Sequence, residues 1–317
     1  MRTIAQLVTG GIKSVPDLQE SLFLAAQLEF STIPPYLCAE WSIKAAEDPN
    51  RVAKMLHGIV MQEMLHMGLS LNMLVAIGGQ PAIANQDFVP TYPTDGLPGN
   101  VHPHLVVDLL PLSEASLDSF IEIESPEHGS IAAAMIFPTI GDFYDAISTA
   151  FQTLQPAIGS ANQVEADVGQ DTVFKITSVA DALKAIEEIK EQGEGTSVSP
   201  FQGSFDPADT AHYYVFEQIR HGHQLQKGAD GLWHFTGPAI SMPGVIPFTR
   251  SSDPHASDDF NVALSDLLRL MQQAWTTDPT KIDDAINQMF SLRTKGTGLI
   301  AAGVCPEFRW TDKTALP

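Results

Sequence analysis

Cysteine is scarce in this chain: 317 residues contain two, Cys38 and Cys305. Two are too few for a disulfide framework or a cysteine metal site, so neither organises the fold. Basic residues are few as well. Lys and Arg number 17 against 38 Asp and Glu, a formal net charge of −21. A phosphate backbone or an anionic membrane needs a positive footprint, which argues against nucleic acid and membrane as partners. No apolar run reads as a membrane span, and Met1–Gly10 lacks a signal-peptide pattern, so a cytoplasmic protein is expected. Low-complexity segments are also missing. Hydrophobic residues make up 44 %, enough to bury a large core.

The informative stretch lies inside Val60–Ile77. Glu63 and His66 stand three residues apart, which puts a carboxylate and an imidazole on one helix face, one turn apart. Leu56, Ile59, Glu63, His66 and Ser70 share a helical period, so the pair continues an apolar face. A buried carboxylate must be paired or bound to a metal. Alone, the spacing is equally that of a surface pair. Supplied twice, with a lone carboxylate from each of two other helices, it is the ligand set of dimetal-carboxylate bundles.

The remaining ligands have candidates on three further helices. The first helix covers about 16–45, capped by Ser14, with Glu29 on the face of Leu22, Ala25, Ala26, Ile33 and Tyr36. Pro34 and Pro35 predict a kink just after Glu29. The second, about 49–77, carries Glu63 and His66, opens at Asp48-Pro49 and ends at Gly78-Gly79. The third, about 140–155, offers Asp142, although Thr139-x-x-Asp142 is also a capping box. The fourth, about 207–226, offers Asp209-x-x-His212, although Asp209 also fits the first turn of a helix capped by Asp206. Glu217 and His221 form a rival pair further down that helix.

Two insertions, 80–138 and 156–205, exceed ordinary loop lengths. The first holds β-like runs at Leu105–Leu109 and Phe120–Glu124; the second holds a helix at Val179–Gln192. Helices at about 257–276 and 279–302 carry no ligand pattern and pack outside the bundle or against a second subunit, which allows a homodimer. The expected architecture is mainly α: a single domain, 1–317, built as a four-helix bundle with long crossover insertions and two extra C-terminal helices.

The candidate metal ligands are therefore Glu29, Glu63, His66, Asp142, Asp209 and His212. Carboxylate and imidazole suit two divalent metal ions, iron first, with manganese or zinc as alternatives. Six protein ligands leave open positions for dioxygen and a small-molecule substrate.

Several segments resemble a known family. They are the run from Gln27 to Leu37 (QLEFSTIPPYL), Glu63-Met-Leu-His66, Asn72-Met-Leu, Ile77-Gly-Gly-Gln-Pro81, Ile140-Gly-Asp-Phe-Tyr144, Gln192-Gly-Glu-Gly195, His212-Tyr-Tyr-Val-Phe216 and Phe260-Asn261. Together they are similar to the ferritin-like domain associated with iminophenyl-pyruvate dimer synthase, an imine-coupling enzyme of violacein-type biosynthesis. The resemblance implies a ferritin-like bundle and points to the same six positions, with glutamate expected where this chain has Asp142 and Asp209. The synthase is a longer, multidomain chain, so its named activity is not carried over. Three functions compete: a di-iron or manganese–iron oxidoreductase acting on a small organic substrate, an iron-storage or ferroxidase protein, and a degenerate accessory protein without catalysis. The long insertions oppose a closed storage shell. The two aspartates, if they are only caps, favour the degenerate scaffold.

Overall fold

The computed structural model describes residues 2–125, 139–193, 200 and 210–316. After a short helix α1 (Ile4–Gly10), two long helices dominate, α2 (Val15–Ser42) and α3 (Val52–Ala76), and they pack along each other. The Ser14 hydroxyl accepts the amide of Asp17 at 3.2 Å and starts α2 as its sequence predicts. The helix runs on as one element through Pro34 and Pro35. Pro35 has no amide to give the Ser31 carbonyl one turn earlier. The Tyr92 hydroxyl donates to that carbonyl at 2.6 Å.

The second helix starts later than Asp48-Pro49 suggests. Its first residue is Val52, and the Asp48 carboxylate reaches over a turn to accept the amides of Val52 (2.8 Å) and Ala53 (3.0 Å). By length and composition α3 could cross a membrane, contrary to the expectation that no run is long enough. In this fold 78 % of its most apolar window is buried. It is a core helix.

The insertion after α3 holds a bulged antiparallel hairpin, β1 (Thr94–Leu97) and β2 (Val101–Val107), and a helix α4 (Glu114–Ile123). Phe120–Glu124 is thus the end of a helix and not a strand. Ser113 and Ser116 form a capping box at its start, and Leu117, Phe120 and Ile123 line its buried side. α5 (Ile140–Leu154) packs on α6 (Val179–Gly193), with the small hairpin β3 (Ala166–Val168) and β4 (Asp171–Val173) between them in sequence. That hairpin lies against α3 at Gly68, where an added Cβ would come within 2.7 Å of Val173. Asn72, on the same helix, donates to the carbonyls of Val164 and Phe174 and accepts from the Val164 amide and the Trp275 indole.

Helix α7 is described over His212–His221 and ends at the left-handed Gly222, short of the expected 226. It packs against α4, and it also touches α3. A two-residue hairpin follows, β5 (Gln226–Lys227) with β6 (Trp233–His234). The last two helices, α8 (Asp258–Thr276) and α9 (Lys281–Ala301), pair with each other and lie outside α2 and α3. The chain is mainly α as expected; α5 packs on α2 as well as on α6, and α4 reaches α2 through Phe120 and Glu124 at Tyr36.

Candidate metal centre

Glu29 on α2 and Glu63 and His66 on α3 are buried and face each other, as their spacing predicts. His66 Nδ1 is 3.6 Å from Glu29 Oε2. The fully buried His212, in the first turn of α7, brings its Nδ1 to 2.9 Å from Glu63 Oε1 and 3.8 Å from Glu124 Oε2. Glu124 caps the C-terminus of α4. Two sets of three ligand atoms result, Glu29–Glu63–His66 and Glu63–Glu124–His212, each with all its atoms within 4.8 Å of one another. Glu63 belongs to both. The two imidazoles are nearly parallel, 5.6 Å apart.

The expected fourth carboxylate, Asp142, is not in this cluster. Its side chain accepts the Thr139 amide at 2.9 Å while the Thr139 hydroxyl accepts its own amide, a complete capping box. Glu124 stands where Asp142 was expected. Asp209 lies outside the described residues. Glu217 and His221 form a partly exposed pair one turn apart, 3.2 Å between atoms, away from the buried cluster.

A second layer fixes the ligands. His66 Nε2 is 2.8 Å from Gln192 Oε1, and His212 Nε2 is 3.0 Å from Gln62 Oε1. An amide oxygen can only accept, so each imidazole donates from Nε2 there and turns Nδ1 inward, where it carries a proton in the metal-free chain and would offer a lone pair to a metal. The Tyr36 hydroxyl donates to Glu124 at 2.7 Å, the Tyr144 hydroxyl donates to Glu29, and the Thr32 hydroxyl donates to Glu63 at 2.8 Å. Burial, followed by the neighbouring carboxylates, pushes both phenols well above their ordinary range, so they stay protonated donors.

Among the described residues, His212 Nδ1 has no acceptor at a hydrogen-bonding angle, although Glu63 is close. A buried polar atom so oriented, inside a ring of oxygen donors, fits a cation. The electrostatics agree. Three carboxylates are buried together, and burial, then the charge of Glu124, lifts the Glu63 carboxyl to about 7. Burial would lower His212, but the negative Glu124 and Glu63 carboxylates beside it outweigh this and raise the imidazole to about 10. Burial would likewise raise Glu29, but the hydrogen bond and charge of His66 hold it below the usual carboxylate range. In the metal-free chain, protons thus take the place that cations would fill.

Of the residues expected from the sequence, the structure brings together Glu29, Glu63, His66 and His212, and it adds Glu124, Gln62, Gln192, Tyr36 and Tyr144 to the cluster. The last four lie in segments already singled out. For Glu124 the usable signal was the Ser113 cap, with Leu117, Phe120 and Glu124 at helical spacing.

A family model described as Ferritin-like matches residues 22–221. The chain is also similar to the crystal structure of a ferritin-like protein from Caulobacter vibrioides, with a TM-score of 0.67 and 21 % identity over 95 % of this chain and 100 % of that one. At that identity the likeness concerns the fold alone. No curated protein matches the sequence.

Proposed function

The chain belongs to the Ferritin-like family, and from that premise we propose that it is a dimetal-carboxylate oxidoreductase acting on a small organic substrate. Glu29 and His66 would hold one divalent ion and Glu124 and His212 the other, with Glu63 within reach of both. Iron is the first choice, with manganese the alternative in one or both positions, because the donors are oxygen and imidazole without thiolate. Such a pair, when bound, supplies two-electron chemistry toward dioxygen or peroxide.

The observation that carries this reading is the paired arrangement of the histidines. Each points Nδ1 at a carboxylate pair and has Nε2 against a glutamine oxygen, the support that metal-binding histidines commonly have. Tyr36 and Tyr144 then orient the two outer carboxylates, and burial keeps bulk water off all five ligands. A crevice of about 30 Å³ lined by Glu124, Tyr144, Gly141 and Gly193 reaches the Glu124 side. It has room for about one water-sized molecule, so dioxygen or peroxide fits there.

Glu124 offers the carboxylate that Asp142 does not, which favours a working site over a degenerate scaffold. The resemblance to the ferritin-like domain associated with the dimer synthase favours an organic substrate over iron itself. Dimer formation is not part of the proposal, since fold-level likeness does not specify a reaction. The test is dioxygen uptake by protein reconstituted anaerobically with ferrous iron. Uptake that follows two irons per chain and is lost in Glu63→Ala is expected. Reconstituted protein that holds iron but consumes no dioxygen, with or without small aromatic or amino-acid-derived reductants, contradicts the oxidoreductase reading.

A further inference from the structure

A second cavity lies on a different face of the two long helices. It measures about 300 Å³, with α2 and α3 on one wall and α8 and α9 on the other. None of the five candidate metal ligands lines it. At about 100° per residue, its lining residues on α2 and α3 lie on average roughly 100° around each helix from Glu29 and Glu63. The cavity is therefore separate from the candidate metal centre.

Its shape follows from the helices that line it. Lining residues span 30–41 on α2, 57–68 on α3, 264–275 on α8 and 282–293 on α9. Each stretch advances about 16 Å along its helix. The stretches share their ends: Trp275 donates to Asn72 of α3 just beyond one end, and Arg293 donates to Glu40 of α2 beside the other. A cavity of about 150 Å³ takes benzene, so this one takes about twelve non-hydrogen atoms. Spread over about 16 Å, that volume is a narrow tunnel. About twelve atoms in an extended chain, with bonds of about 1.5 Å, reach about 14 Å. The same number fused into two rings covers about half that length and needs a wider space. Volume and length together select a single unbranched chain.

The walls agree. Met61, Met64, Met67, Met271 and Met289 line the tunnel, half of the ten methionines in the chain. Methionine side chains are unbranched and adapt to a flexible occupant. The ionisable lining groups are already committed. Asp167 is exposed and accepts from Thr172 at 3.0 Å, while Arg293 and His57 meet the buried Glu40 carboxylate at 3.0 and 3.4 Å. A charge carried into the interior would find no partner, and a water would find few. A chain of methylenes gives these walls the contacts that a cavity of this size forfeits. Phe290 of α9 lines the tunnel with 67 % of its surface exposed, so the tunnel opens to solvent there.

We propose that this tunnel binds one uncharged, unbranched aliphatic molecule of about twelve non-hydrogen atoms, of the class of a medium-chain alcohol. The site needs no metal, so it is tested on the metal-free full-length chain, where failure leaves the metal proposal untouched.

The probe is bromodecanol with bromine on the terminal carbon, because bromine quenches tryptophan fluorescence on contact and Trp41 and Trp275 line the tunnel. Saturable, one-to-one quenching is expected. Unbranched primary alcohols from hexanol to tetradecanol, each below its solubility limit, then compete with the probe. Their affinity should rise about fourfold per added methylene, up to about eleven carbons, and then level off. Undecanoate should compete no better than undecanol. Ile286→Trp fills the tunnel from a half-buried position midway along its α9 wall. It should weaken undecanol by more than about tenfold, the loss of about two buried methylenes, and leave hexanol nearly unchanged. The chain-length limit is read in the wild type and does not depend on that variant folding. Absence of saturable quenching, affinity that keeps rising to tetradecanol, preference for the carboxylate, or a folded Ile286→Trp that binds undecanol as the wild type does overturns the proposal.

Discussion

Replacing Glu63 by glutamine should separate the holding of metal from the stability of the fold. In the metal-free chain, burial and then the charge of Glu124 lift the Glu63 carboxyl from 4.5 to about 7. A shift of that size corresponds to about 3 kcal/mol against the ionised form. Between those two values the folded chain holds a proton that the unfolded chain has released. The contribution of this group to stability therefore falls as pH rises from 4.5 to 7 and stays low above it. Glutamine resembles the neutral acid and can still accept from Thr32. Its one loss is the negative partner of His212. Metal-free Glu63→Gln should thus be more stable than metal-free wild type at pH 8, by roughly 1–3 kcal/mol, with the gap closing near pH 5. The assay is urea unfolding with chelator present at both pH values. The same variant should fail to hold two metal ions, because both ligand sets share this carboxylate. A metal-free variant less stable than wild type at pH 8, or one that still takes up two ions, refutes the reasoning.

Other residues give sharper contrasts. Glu124→Gln should lower metal content to about one ion per chain, while Asp142→Ala should leave it unchanged and cost about 0.5–2 kcal/mol in thermal or urea unfolding as a lost cap. Gln192→Leu removes the acceptor of His66 Nε2 and should weaken metal affinity about 10- to 100-fold without abolishing it, read by competition with a chromophoric chelator. His212, held up to about 10 against an ordinary 6.5, contributes stability that is full below pH 6.5 and is lost as pH rises toward 10. His212→Gln should therefore flatten the pH dependence of metal-free unfolding between pH 7 and 10, relative to wild type.

Helical periodicity made much of the centre legible. Glu29, Glu63 and His66 stand on long helices whose apolar neighbours fix which way each side chain faces, and His212 follows from the same spacing. Glu124 was hidden because it ends a ten-residue helix whose last residues, Phe120-Ile-Glu-Ile-Glu124, are rich in strand formers. Tertiary packing against α7 outweighs that local preference. Asp142 was misplaced for the opposite reason. A carboxylate three residues after a threonine has one spacing whether it caps a helix or faces a bundle; on α5 the residue turned to Glu29 is Tyr144, and Asp142 is taken up by the cap. The start of α3 was placed early because Asp48 caps it from a turn away, a geometry that the Asp-Pro pair alone does not convey. The glutamines behind the histidines have no spacing rule, since Gln192 meets His66 from α6, 126 residues away.

The most direct test is anomalous diffraction at the iron edge from crystals of anaerobically reconstituted protein. Two peaks are predicted, one touching Glu29, Glu63 and His66 and the other touching Glu63, Glu124 and His212. Metal found elsewhere, or none among these five side chains after reconstitution, would contradict the account.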